Sequence, residues 1–138
     1  MTKIPEQLVI DQLENDPDVA TLLGDRIFPV IAPASAALPF ATWRRQGVTR
    51  ESTLSGPLGM PVVSLALDIY AESYAAVRHI ADRVRAVLDG FRGGYGNYIH
   101  VSIVSIQGES DGFVQLAGGD LPPVYSVTQT YSILWQSE

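Results

Sequence analysis

Apolar residues recur at helical spacing near the N-terminus and again over residues 74–89, and they alternate with polar ones over three later stretches. The first pattern predicts a helix over residues 4–15, with Pro5 suited to the first helical position and Leu8, Val9 and Leu13 on one stripe. Asp16-Pro17-Asp18 reads as an N-cap followed by proline, so Val19, Leu22 and Leu23 belong to a short second helix that Gly24 closes. Ser73 is the N-cap candidate of the main helix. Val77, Ile80, Ala81, Val84, Val87 and Leu88 form one continuous stripe there, and Gly90 ends it. On the opposite side Arg78, Asp82, Arg85 and Asp89 alternate in sign at spacings that let neighbours pair, for about 0.2–0.5 kcal/mol each.

The clearest strand pattern covers residues 62–70. Val63, Leu65, Leu67 and Ile69 share one face, and Val62, Ser64, Ala66, Asp68 and Tyr70 the other. A second strand is predicted over 98–107, with Ile99, Val101 and Ile103 alternating against His100, Ser102 and Val104. A third covers 124–136, where Tyr125, Val127, Tyr131, Ile133 and Trp135 face inward and Gln129 is the main polar residue among them. Residues 26–31 and 38–46 are also extended, but Pro29, Pro33 and Pro39 confine them to sheet edges or strand starts, the first as a short edge strand. Residues 47–61 read as an exposed loop or hairpin arm, around a Gly-rich segment, and 109–123 as a second long connection. The predicted class is α+β: a largely antiparallel sheet of about four to five strands packed on one main helix, with a short N-terminal helical pair. Strands of roughly 30–40 Å exceed what so small a domain covers, which predicts leftover edges for another subunit.

Composition narrows the function. The chain has 138 residues and 14.9 kDa, 46% hydrophobic and 17% charged, the balance of one globular domain. Nine basic against 15 acidic residues give a net charge of −6, so no bulk positive field holds nucleic acid. The absence of cysteine excludes disulfides, thiolate metal sites and a cysteine nucleophile. No stretch approaches the ~18 apolar residues of a membrane span, and the polar first seven residues suggest synthesis in a cytoplasm.

Candidate chemistry is sparse. His79 and His100 stand without a second ligand or base at useful spacing. Asp16 with Asp18 and Glu109 with Asp111 offer too few oxygens for a calcium loop. Residues 90–96 are rich in glycine but run from a helix into a strand, the reverse of a phosphate cradle. No serine lies in a Gly-x-Ser-x-Gly elbow. No catalytic residue, cofactor or metal site is therefore expected. The segment Trp43-Arg44-Arg45, with Arg50 close by, combines the residue types enriched in interface hot spots. With Met60 and Gln129 it makes up the candidate subunit or partner interface. Trp43→Ala or charge reversal at Arg44 and Arg45 should then impair assembly more than folding.

The order of these signals resembles a known family. Val19-Ala-Thr-Leu-Leu-Gly-Asp-Arg-Ile-Phe-Pro, then Ala37-Leu-Pro-Phe-Ala, then the strand ending in Asp68-Ile-Tyr-Ala-Glu-Ser, is similar to the tail-completion or tail-terminator proteins of long-tailed bacteriophages. The resemblance continues through the main helix and closing strand, so residues 1–138 are expected to be one such domain. It implies a non-enzymatic virion protein, made in the host cytoplasm, that caps the finished tail tube at its head-proximal end as a ring, typically hexameric. Its implied partners are further copies of the chain, the tail-tube protein and a head-tail connector, with DNA passing through unbound. Subunits of such a ring meet heterologously, and the 47–61 arm is the candidate for reaching a neighbour. Glu109, Asp111 and Asp120 are the candidates for an acidic lumen along which DNA slides. Two other readings stand beside this one: a connector or stopper of the same particle, and a small ligand-binding or enzymatic α+β domain whose pocket lies between sheet and main helix.

Overall fold

Strands with one fully apolar face need a cover, and the helices supply it on one side only. The computed structural model describes residues 4–33, 35–49, 52–53, 56–57, 61–95, 99–114 and 123–137. Helices α1 (Pro5–Asn15) and α2 (Pro17–Leu23) are followed by strands β1 (Ile27–Pro29), β2 (Phe40–Thr49), β3 (Ser52–Thr53), β4 (Gly56–Pro57) and β5 (Val62–Ala71). Helix α3 (Tyr74–Leu88) then leads to β6 (Gly93–Tyr95), β7 (Ile99–Val114) and β8 (Val124–Ser137). The main sheet has the order β1-β2-β5-β8-β7-β6, four long strands flanked by two of three residues. Every pair is antiparallel except β1 with β2. The result is the expected α+β arrangement, a largely antiparallel sheet on one main helix.

The core forms where the stripes of α1, α2 and α3 meet the inward face of the sheet. Val63, Leu65, Leu67 and Ile69 are all buried, as their alternation predicts, opposite Ile133, Tyr131, Gln129 and Val127 of β8. Val77, Ile80, Ala81, Val84 and Leu88 cover them from α3, while Val9, Ile10 and Leu13 of α1 and Val19 and Leu23 of α2 complete the cluster. The caps are as read from sequence. The Asp16 side chain accepts from the Val19 N–H at 3.0 Å, and Ser73 Oγ accepts from the Ala76 N–H at 3.1 Å.

Several boundaries differ from expectation. β2 runs on to Thr49, so residues 47–49 are strand rather than arm, with Val48 paired to Val63. Part of the remaining arm is a hairpin, β3 against β4. β7 continues to Val114, so residues 109–114 belong to a strand instead of a connection: backbone pairing with Gln129–Val124 holds them although their side chains are mostly polar. Two irregularities of register, between Val101 and Ile103 and between Ile106 and Gly108, break the alternation of β7. Val104 consequently joins Val101 in the core, against the strict alternation expected of this strand. Within the Gly-rich turn, Gly93–Tyr95 forms an edge strand, and a Cβ at Gly93 would stand 2.8 Å from the Phe91 ring.

Candidate functional site

The residues singled out from sequence do not converge on one patch. Arg50, Met60 and Asp120 lie outside the described residues. Trp43 is half-buried and packs against the core. Arg45 turns to α1, where its guanidinium grips the Glu6 carboxylate with contacts of 2.9 and 3.0 Å, and Glu6 is buried. That pair ties α1 to the sheet, which gives Arg45 an internal duty that its hot-spot composition did not suggest. Arg44 points to the other face and meets Asp68 at 3.2 Å, and Asp68 also accepts from the Thr128 hydroxyl. Gln129 is fully buried beneath α3, a correction to its place among the interface candidates.

The interior site proposed for a ligand is instead a closed polar network. Gln129 Nε2 donates to the Ala81 carbonyl at 2.9 Å and to Glu109 at 2.7 Å, and Gln129 Oε1 accepts from the Tyr131 hydroxyl at 2.7 Å. Glu109 also accepts from Arg78 at 2.8 Å. Arg78 reaches Asp111 at 3.3 Å and Asp82 at 3.1 Å, and Asp111 accepts from the Tyr74 hydroxyl at 2.8 Å. Burial alone would push the Glu109 carboxyl up, but the bonds from Gln129 and Arg78 outweigh it and hold the group below its usual range. Burial drives the Tyr131 hydroxyl well up, so it remains a neutral donor. These bonds link β7 and β8 to α3 and fix the register of β7 under the helix. Of the alternating charges on the main helix, Arg78–Asp82 and Asp82–Arg85 approach within 4.0 Å, while Asp89 accepts from the Ile106 N–H.

Other chemistry is equally absent among the described residues. No group of three His, Asp or Glu side chains could hold a metal ion, and His79 is exposed on α3. No helix of the described residues is long and apolar enough to cross a membrane.

What sequence reading missed lies at the sheet edges. Val30 and Ile31, directly after β1, are 70% and 77% exposed. Val30 has φ +66°, rare for a β-branched residue, and the Ile31 N–H donates to the Pro29 carbonyl at 2.7 Å across it, a tight γ-type turn. The Val30 N–H is itself held by the Trp43 carbonyl at 2.7 Å. The segment 24–29 sets up this turn. Gly24 takes φ +60°, the Arg26 guanidinium holds the Pro39 carbonyl at 2.8 Å, and Phe28 stacks edge-on against Phe40. At the far side, β6 covers only Ile99–Val101 of β7, and the turn after α3 covers it as far as Ile106. Residues 107–113 are exposed, and Phe113, 66% exposed, stands opposite Tyr125, which packs edge-on against the half-exposed Tyr74.

The family model for tail completion protein gp17 matches residues 7–115, which includes β1, its turn and β7. The chain belongs to the tail completion family. It is therefore a structural protein of phage-like tails. A chain in the solved structure "Virion of native gene transfer agent (GTA) particle" shares the fold of this family member, with a TM-score of 0.73 over 94% of this chain and 92% of that one, at 14% identity. No curated protein matches. The stretch that carries the family likeness, Leu23 to Pro29 with Leu38-Pro39 downstream, is the one whose contacts place the edge strand and the Val30–Ile31 turn.

Proposed function

We propose that this tail completion protein closes into a ring, hexameric by the family expectation, on the head-proximal end of a finished tail tube and offers the surface that joins the head. One observation carries the reading: the sheet is covered by helices on one face and, among the described residues, ends laterally in two unlike edges that are only partly covered. Unlike edges suit a heterologous contact that closes on itself, and a long open strand edge is otherwise an aggregation hazard. The protein acts without catalysis in this reading. Its partners are its own copies, the tail-tube protein and a connector, and DNA passes without specific contacts.

Glu109 and Asp111 are engaged with Arg78, so their charge is partly answered within the subunit. Repulsion of DNA then rests on the net charge of −6 multiplied around the ring, more than on those two carboxylates. The test is electron microscopy of particles carrying a tagged chain, alongside particles lacking it. The reading expects the tag at one tube end only, with overlong or headless tubes when the chain is missing. A tag found on tail-less heads would instead support the connector or stopper role, and normal particles without the chain would overturn both.

A further inference from the structure

The Val30–Ile31 turn is costly in two ways. A β-branched residue at positive φ is strained, and two neighbouring branched aliphatic side chains stand in solvent. Among the described residues no apolar contact covers either side chain. The backbone bonds from Val30 to Trp43 and from Ile31 to Pro29 show that the turn is held in place rather than frayed. Strain that a structure maintains together with exposed apolar surface is the mark of a contact made elsewhere.

We infer that the Val30–Ile31 knob of one copy docks against the open β7 edge of the next copy, over residues 107–113, with Phe113 and Tyr74 as the apolar floor. The occupant is a second copy because the two features lie on opposite sides of the same sheet and each copy can give one and receive one. The register supports this. Pro29 is level with Trp43, Leu67, Gln129 and Glu109 in turn, so the knob sits at the height of residues 106–109 on the far edge. Phe113 lies four to seven residues further along, an offset of about 13–23 Å at ~3.3 Å per residue. A ring of sheets inclined ~35° to its axis shifts the neighbouring edge by about 17 Å across five inter-strand steps of ~4.8 Å. The offset is thus of the size that an inclined ring takes up. Glu109 and Asp111 are drawn toward Arg78 and Tyr74 beside that edge, although one guanidinium shared with Asp82 answers only part of their charge.

This inference rests on the ring reading, and the experiment separates the two. The chain contains no cysteine, so Ile31→Cys and Phe113→Cys introduce the only thiols. Treated with a short bismaleimide on tail tubes, the double variant should give a ladder of covalent oligomers ending in a closed species, whereas either single variant and an Ile31→Cys/His79→Cys control should not. In parallel, Ile31→Asp and Phe113→Asp should each lose the ring, while a mixture of the two should recover dimers through the one intact knob and patch. Dimers from Ile31→Cys alone would mean that knob meets knob and would overturn the contact. Rings seen at tube ends without 31–113 cross-links would overturn it too, yet leave the ring standing. Absence of any oligomer on tubes would sink both.

Discussion

The helix-covered face of the sheet and its two lateral edges follow opposite rules. Under α3 the buried polar groups of Gln129 and Tyr131 are answered within the subunit, in part by the Glu109 carboxylate, and the apolar residues around them are sealed. At the edges the order reverses: Val30, Ile31 and Phe113 are large, apolar and exposed, and one of them sits on a strained backbone. Pro29 on β1 and Glu109 and Asp111 on β7 are the residue types that blunt sheet edges, yet these large apolar side chains stay exposed beside them. Under the proposed ring the interior specifies the subunit and the edges the assembly, and substitutions in the two regions should separate those properties.

The sharpest break would come from the covered face. Leu67 stands at the centre of β5, buried opposite Gln129, so Leu67→Ala should cost about 2–5 kcal/mol of subunit stability in thermal or denaturant unfolding. A loss below about 1 kcal/mol would mean that this face is loosely packed and that the contrast is overstated.

The neighbouring arginines of β2 make a finer test. Arg45→Ala strands the buried Glu6 carboxylate and should cost about 2–3 kcal/mol, at the low end for a broken buried pair because the guanidinium is partly exposed. Glu6→Gln in the Arg45→Ala background should recover part of that loss. Arg44→Ala removes an exposed pair with Asp68 and should change stability by under about 1 kcal/mol. Equal effects of the two would refute the division between an inward and an outward arginine. Reversing both charges, the change that composition alone recommends as an assembly test, would therefore strike the fold through Arg45 first.

That pair of arginines also shows where the sequence was readable. Strict alternation made β5 and β8 legible, and the 3.6-residue stripe made α3 legible, because in each the apolar set faces one continuous core. Residues 109–114 were not, since Arg78, Tyr74 and backbone pairing hold them in β7 while their side chains read as loop. The bulges of β7 hid Val104 for the same reason: one extra residue reverses the parity on which alternation depends. Nothing in the sequence near Glu6 signals its burial, because the partner that meets its carboxylate, Arg45, lies 39 residues later. The candidate site was the least legible part. Val30 and Ile31 carry the same letters as core residues, and their exposure follows from the turn geometry rather than from composition.

Acid should distinguish the regions next. Glu109 is held below its ordinary value of 4.5 in the folded chain, so the folded state binds fewer protons than the unfolded state in that range. Its stabilising contribution is complete above 4.5 and is lost as pH falls through the depressed folded value. Unfolding followed from neutral to strongly acidic pH should show a decline in stability that is shallower in Glu109→Gln, whereas Ile31→Asp should leave the part of the decline due to Glu109 in place. An unchanged acid limb in Glu109→Gln would remove the network from the account of why the covered face is closed.

The smallest effect on the subunit is the most telling for the edges. Glycine accepts φ +66° without strain, so Val30→Gly relieves the turn while enlarging the freedom of the unfolded chain, and the two terms oppose each other at about 1 kcal/mol each. Subunit stability should therefore stay within about 1 kcal/mol of the parent. Assembly should not be spared, because half of the aliphatic knob is gone and the other half sits on a looser backbone. A variant that unfolds like the parent but no longer completes tails would show that the strain at Val30 belongs to the contact between subunits. A variant that loses several kcal/mol would show instead that Val30 packs within its own chain, and the boundary between interior and edge would have to be redrawn at β1.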